Sequence, residues 1–412
     1  MKRVLVLVGA YYPAPKANGI CCERVVAEMR ARGYYVDVVA FAPQWPQNTA
    51  QWNGIKIEYI RGSMYYRTLR DGETGKLSGK ALAMKKKLCR LKDIVFTPFW
   101  PDNSKLCARQ FLKKAEEMHR ENPYDMVIGV VSPVSALSAA AMFKKRHPEV
   151  KMVAYFLDAV SGGVTPRALP QSVGRKLGLR WEKKCCEKAD RIIVMQSHEG
   201  HHKKYSQQMP YYDRIRILDI PLLCPVESTA DREDDGKTHI VYIGSLNASI
   251  RNPAYILCLA KELPQNIVLD FYGTVDNEEL FAPYVNCPQI KMHGQVSHDV
   301  AIAVQQKADF LLNIGNSNAC MVPSKIFEYM SSRKPIITTY RIQDEPSLPY
   351  LRRYDACLML EEREDAFPEN LQKLLSFIET YRGRRANTDS ILREFKNNMP
   401  EAFVDEIDRL FC

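Results

Sequence analysis

The chain has 412 residues, 46% of them hydrophobic and 26% charged, with 20 Gly and 24 Pro. This excludes collagen-like and low-complexity proteins and exceeds one ordinary core, so two or three domains are expected. The 58 Lys and Arg outnumber the 48 Asp and Glu to give a formal net charge of +10, which favours an anionic partner such as nucleotide phosphates or an acidic membrane. The basic residues form no nucleic-acid reading motif, so nucleic acid is not expected as a partner.

In chain order, the opening MKRVLVLVGAYYP has the basic start and apolar run of a signal peptide. The run stops within a few residues and leads to Tyr, Pro and Lys without a convincing cleavage site, so a first strand, Arg3–Val8, is expected. A helix, Cys22–Arg32, ends at Gly33, and strands Tyr35–Phe41 and Ile55–Ile60 follow. Met64–Lys114 interleaves cations with aromatics, among them Tyr65, Tyr66, Arg67, Arg70, Lys85, Lys86, Lys87, Phe96, Phe99 and Trp100. Such a segment suits an anionic membrane surface or, equally, a solvated helix face over a few core aromatics. Met126–Phe143 carries no charge, yet a spanning helix needs roughly 20 mostly apolar residues. Ser132-Pro133 divides this run into a strand, Met126–Val131, and an Ala-rich helix.

Strands are next expected at Met152–Leu157, Arg191–Met195 and Ile215–Ile220. A polar, acidic linker, 225–238, follows the first domain, 1–224. The alternation restarts with His239–Ile243, Ile267–Tyr272, Ile290–His293, Phe310–Ile314, Pro335–Thr339 and Ala356–Leu360, giving a second domain, 239–386. Two amphipathic helices, Asn387–Asn398 and Glu401–Phe411, make up 387–412 and are expected to pack back on the first domain. Strands alternating with helices predict α/β architecture: two Rossmann-like, doubly wound domains facing a central cleft. Of the 12 cysteines, Cys21-Cys22 and Cys185-Cys186 are adjacent pairs and no CxxC occurs. That spacing argues against zinc and disulfides and fits a cytoplasmic protein with reduced thiols.

The strongest local signal is MVPSKIFEYMSSRKPIITT, Met321–Thr339. Pro323 suits a first helical position, and the amides of Ser324 and Lys325 would then favour an anion at the helix start. Glu328 lies one turn further on the same face, where its carboxylate can accept two hydroxyls, as from a ribose. The alternative is an ordinary amphipathic helix with a solvated Glu and Lys. This segment resembles the donor-binding segment of GT-B glycosyltransferases of the retaining family 4 type. That family commonly carries Glu-x7-Glu: Glu328 matches the second Glu, and Cys320 stands at the first.

Other segments are similar to the family in order and spacing. IVYIGSLNASIRNPAYIL, from Ile240, resembles its phosphate-gripping loop, with Gly244 in place. There Ser245 replaces the family's Arg, while Arg251 keeps the second cation, with Lys325 as a compensating one. The resemblance places the nucleobase on the backbone around His293, Gly294, Gln295 and Val296, and Gly19 in the phosphate- and acceptor-side loop after the first strand. Asp158, after Met152–Leu157, is the acidic residue expected either to face the cleft or to cap the next segment. His198, His201 and His202 follow Ser197, and such a cluster can suggest a metal, but His201-His202 beside Lys203-Lys204 read as a solvated basic turn.

The resemblance implies a nucleotide diphosphate sugar donor and sugar transfer with retention to a glycan or lipid-linked acceptor. Asp158, Arg251 and Lys325 are the expected catalytic groups. The chain has no Asp-x-Asp, so no metal and no cofactor are expected. The protein would sit in the cytoplasm, peripheral on the inner face of the membrane if Met64–Lys114 docks there. The rival readings are a GT-B nucleotide-sugar epimerase and an inactive nucleotide-sugar-binding scaffold, kept open by Cys320 and Ser245.

Overall fold

The computed structural model describes all residues except 1, 14, 16, 45, 46, 164, 167, 168, 226–234, 277 and 318–321. Most of the expected linker and Cys320 therefore lie outside the described residues. The chain divides into two compact units, the first Met1–Leu222 with Asn397–Cys412, the second Leu223–Lys396.

The first unit holds β1 (Arg3–Leu7), β2 (Tyr35–Phe41), β3 (Thr49–Trp52), β4 (Ile55–Ile60), β5 (Met126–Val130), β6 (Lys151–Phe156), β7 (Arg191–Met195) and β8 (Ile215–Leu218). They form one sheet in the order β3-β4-β2-β1-β5-β6-β7-β8. Every pairing is parallel except that of β3 with β4. Val4, Leu5, Val6 and Leu7 are all buried, as expected of a strand covered on both faces, which reads as an unbroken apolar run. β3 escapes sequence reading because TAQW is short and only half-buried. Its two-residue connection, Asn53-Gly54, has both residues at positive φ and is a hairpin signal in its own right.

The second unit holds β9 (Thr238–Ile243), β10 (Ile267–Tyr272), β11 (Ile290–Gly294), β12 (Phe310–Ile314), β13 (Ile336–Tyr340) and β14 (Cys357–Glu361). They pair in parallel in the order β11-β10-β9-β12-β13-β14. With β3 set aside, both sheets reverse direction after their first strand, the doubly wound arrangement in which ligands sit outside the carboxyl ends at the reversal. In the second unit that point lies between β9 and β12. These strands pair at only two positions, Phe310 with Ile240 and Leu311 with Val241, and then part.

The first helix runs Ala17–Ala31, a turn earlier than expected. Burial of Gly19, Cys21, Cys22, Val25, Val26 and Met29 along one side outweighs the weak propensity of Asn18 and Gly19. Near the C-terminus, a helix at Thr388–Glu394 is capped by Asn387, whose side chain accepts the Ser390 amide, and lies in the second unit. The helix Pro400–Asp408 lies in the first. There Arg32 binds Asp405 and Asp408 at 2.7 and 2.8 Å, and buried Glu406 sits 3.5 Å from both Arg191 and Arg216.

Candidate functional site

At the carboxyl end of the second sheet, the loops after β9, β10 and β12 are laced into one rim. The Gly244 amide donates to the Tyr272 carbonyl, Leu246 to Thr274, Gly273 to Gly294 and Ser317 to Ile250, all at 2.8–2.9 Å. Gly273 is fixed by this closeness: at φ +139, a Cβ there would lie 1.8 Å from the Gly244 carbonyl oxygen, so any larger residue would push the rim apart. Ser245, at the position where the resemblance puts an Arg, is exposed and accepts a hydrogen bond from Thr274 Oγ1 at 2.9 Å.

Arg251 reaches across the strand-order reversal. Its Nε donates to Asn316 Oδ1 at 2.7 Å, joining the loop after β9 to the loop after β12. Asn316 is buried, and its own amide donates to the buried Glu345 carboxylate at 3.1 Å. Burial raises the Tyr242 phenol, and Arg251 beside it opposes that rise. The guanidinium is therefore held at one edge by fixed groups, which presents its fork geometry for phosphate.

The helix after β12 begins at Lys325 rather than near Pro323 and runs to Ser331, with Ser324 at its cap. The Ile326 and Phe327 amides donate to Pro323 and Ser324 at 3.2 Å, which puts Ser324 and Lys325 at the open end. Tyr329, fully buried, clips this helix to β9: its hydroxyl accepts the Ile243 amide at 3.0 Å and lies 3.3 Å from the Ile243 carbonyl. Lys325 does not reach out as a lone cation. Its Nζ binds Glu328 Oε2 at 2.6 Å, the carboxylate three residues along the helix.

His293 is likewise engaged. Its Nε2 meets Asp270 Oδ1 at 2.7 Å, while His239 Nδ1 meets Asp270 Oδ2 at 2.5 Å. Burial alone would raise the Asp270 carboxyl, but the two imidazoles hold it below the usual carboxylate range. The His293 ring lies flat on Tyr272, 4.2 Å between centroids and 4° between planes. This leaves the backbone of Gly294, Gln295 and Val296 as the surface beyond β11. Sequence reasoning missed Asp270, Asn316 and Tyr329. Only Asp270 left a signal, a lone charge in the apolar strand IVLDFY.

In the first unit, the ends of β1, β5 and β6 converge. Asn18 Nδ2 donates to Asp158 Oδ2 at 3.3 Å and to the Val131 carbonyl at 3.5 Å. Gly19 lies inside the first helix, where a Cβ would meet the Ala10 carbonyl oxygen at 2.1 Å; that close packing is the physical reason for glycine here. The basic-turn expectation is overturned for the histidines. His202 is 3% exposed with no partner at either ring nitrogen among the described residues, and His201 Nε2 lies 2.8 Å from Ser161 Oγ. Burial lowers His198, with Asp158 pulling the other way.

Met64–Lys114 divides in two. Helix Lys105–Glu121 buries Cys107, Ala108, Phe111, Leu112, Ala115 and Met118 in the core, and Arg70 is buried, donating to the Ala42 carbonyl at 3.3 Å. Helix Gly79–Val95 buries only Cys89 and exposes Met84, Leu88, Leu91 and Val95 in one stripe. Lys92, Phe96, Phe99, Lys105 and Leu106 line a cavity of about 160 Å³ at its end. No described helix is long and apolar enough to cross a membrane.

One group among the described residues, His119, His147 and Glu149, brings possible ligand atoms within 4.8 Å of one another. His119 Nδ1 accepts the Tyr124 amide at 3.0 Å, which fixes the ring proton on Nε2 and disfavours a metal there.

Comparison with family models and with curated proteins finds no match. Solved structures match over almost the whole chain. The lipopolysaccharide outer core galactosyltransferase WaaB is 12% identical, covering 99% of each chain at a TM-score of 0.56. Anabaena Alr3699/HepE, in complex with UDP and glucose, is 11% identical over 99% of this chain and 100% of its own at 0.57. A UDP-forming trehalose-phosphate synthase from Burkholderia xenovorans is 10% identical, covering 100% of both at 0.59. The chain has the fold of these enzymes, the two-domain GT-B fold.

Proposed function

We propose that the protein is a glycosyltransferase that moves a sugar from a nucleoside diphosphate sugar to a glycan or lipid-linked saccharide, with retention. The observation that carries this reading is Arg251, anchored to Asn316 where the second sheet reverses its strand order. Arg251 would take the diphosphate, joined by the Ser324 and Lys325 helix end and the Gly244–Ser245 loop. Lys325 would exchange Glu328 for phosphate, releasing that carboxylate to the ribose hydroxyls. The nucleobase would rest against the backbone of His293, Gly294, Gln295 and Val296. On the first unit, Gly19 and Asp158 would serve the acceptor.

In the reaction the bond from the sugar carbon to the phosphate oxygen breaks, and the acceptor oxygen bonds to that carbon on the same face. The acceptor proton passes to the departing phosphate. Fixed cations and amides meet the charge that builds on the diphosphate without reorganising.

The exposed stripe Met84, Leu88, Leu91 and Val95, with Lys85 and Lys87 on either side, would rest on an anionic membrane at the inner face, close to a lipid-linked acceptor. UDP, bound in several structural relatives, is the first ligand to test by calorimetry. Turnover of UDP-sugars should then persist in excess EDTA. Activity lost with EDTA and restored by magnesium would refute the metal-free mechanism, and tight binding without turnover on a broad acceptor panel would favour the scaffold reading.

A further inference from the structure

The first unit contains a polar chain that the donor chemistry does not use. Glu182, on the helix Gln171–Cys186, is 1% exposed. Its Oε1 accepts the Ser161 amide and its Oε2 the Ser161 hydroxyl, both at 2.8 Å, and Ser161 Oγ lies 2.8 Å from His201 Nε2. The chain is built by two close approaches. At Gly178 a Cβ would fall 2.7 Å from Ser161 Cα, so glycine lets the helix bring Glu182 up to Ser161. At Gly162 a Cβ would lie 2.9–3.2 Å from three atoms of the His201 ring, so glycine lets the ring pack against the loop after β6. Ser161 and His201 follow β6 and β7, at the same sheet edge as Asp158.

We propose that Glu182 and Ser161 are positioning residues that set the polarity of His201 Nδ1, the group that receives a non-reacting hydroxyl of the acceptor. When Glu182 is ionised, Ser161 donates to it and its oxygen accepts from His201 Nε2–H, so neutral His201 offers a lone pair at Nδ1. When Glu182 is protonated, it donates to Ser161, whose hydroxyl turns to His201 Nε2, and the ring proton moves to Nδ1. One proton thus converts His201 from acceptor to donor with no heavy atom moving. Burial pushes the Glu182 carboxyl up to about 7, so the exchange falls near neutrality.

The other groups facing this chain keep their charge there. Cys185, Cys186 and Tyr211 beside Glu182 are raised by burial and stay neutral. His201 is lowered by burial first, then by His198, Arg175 and Lys204, and His202 beside it is lowered to about 4.

The acceptor role rests on the transferase reading; the polarity exchange does not. Long-range ¹H–¹⁵N correlation on the full chain, without substrate, should show His201 passing from Nδ1–H to Nε2–H between pH 6 and 8. Glu182→Gln, whose amide is a permanent donor, should hold Nδ1–H throughout, and the milder Ser161→Ala should uncouple the ring from Glu182. A His201 tautomer that ignores pH, or titrates identically in Glu182→Gln and Ser161→Ala, overturns the proposal. In turnover, the acceptor KM should fall roughly tenfold from pH 6 to 8, following the ionised fraction about a midpoint near 7, with the donor KM steady. Glu182→Gln should flatten that dependence, and an unchanged profile removes the acceptor role. If no sugar is transferred while the tautomer still exchanges, the transferase reading falls instead.

Discussion

Replacing Arg251 separates a phosphate grip from a merely structural bridge. Its Nε is spent on Asn316 at 2.7 Å, so the terminal nitrogens are the part of the fork that can serve a ligand. Hydrogen bonds to charged groups contribute about 1.5–3 kcal/mol each, which is roughly a 10- to 150-fold loss in affinity. Arg251→Ala should therefore weaken UDP by that factor and uridine hardly at all, because uridine carries no diphosphate. Arg251→Lys should recover part of the loss, since it restores charge without the fork. Isothermal titration of UDP, UMP and uridine against the three proteins reads this directly. Parallel losses for UDP and uridine would refute the reasoning and make Arg251 a strut for the rim.

Three further outcomes follow from the geometry. Glu328→Gln should erode a preference for UDP over its 2′-deoxy form, measured with the matched pair; unchanged discrimination would leave Glu328 as the counter-ion of Lys325. Replacing Lys85, Lys86 and Lys87 with Ser should reduce cosedimentation with anionic vesicles and not with neutral ones, at about 1 kcal/mol per Lys near the surface, and equal pelleting would remove the helix from the membrane. His202 is lowered to about 4 by burial, with His201 and His198 adding to it. The unfolded chain therefore takes up the proton first, and stability present above about 6.5 is lost as pH falls toward 4. Over 1.5 pH units this amounts to about 2 kcal/mol at pH 5. His202→Phe should show a shallower loss of thermal stability on acidification than the wild type, and an identical slope would contradict it.

The sheets were legible because buried parallel strands advertise themselves as apolar runs. Gly244 and Arg251 were singled out because their segment resembles a known family, and Glu328 also by its place one helical turn past Ser324. The rest depended on contacts between distant residues. Asn316 is an ordinary loop residue until the sheet brings it to Arg251, 65 positions earlier. His201 and His202 look hydrophilic in a string of His and Lys, and only their helix's position against Ser161 buries one and engages the other. The Gly79–Val95 stripe has the spacing of a core helix, so pattern alone could not show that its apolar face is left uncovered.

At the mouth of the second sheet β9 and β12 are paired at two positions only. Beyond Leu311 and Val241 the strands no longer bind each other, and Ile243 takes its partner from the Tyr329 hydroxyl. A single phenol thus acts as the spacer of the mouth, on a different element from the cation that serves it. Tyr329→Phe would keep the width but orphan a buried amide, whereas a shorter side chain would let the edges relax inward. Breadth of the opening and the reach of Arg251 therefore rest on different elements. Variants with altered donor size selectivity are best sought at Tyr329 and its neighbours, leaving Arg251 untouched.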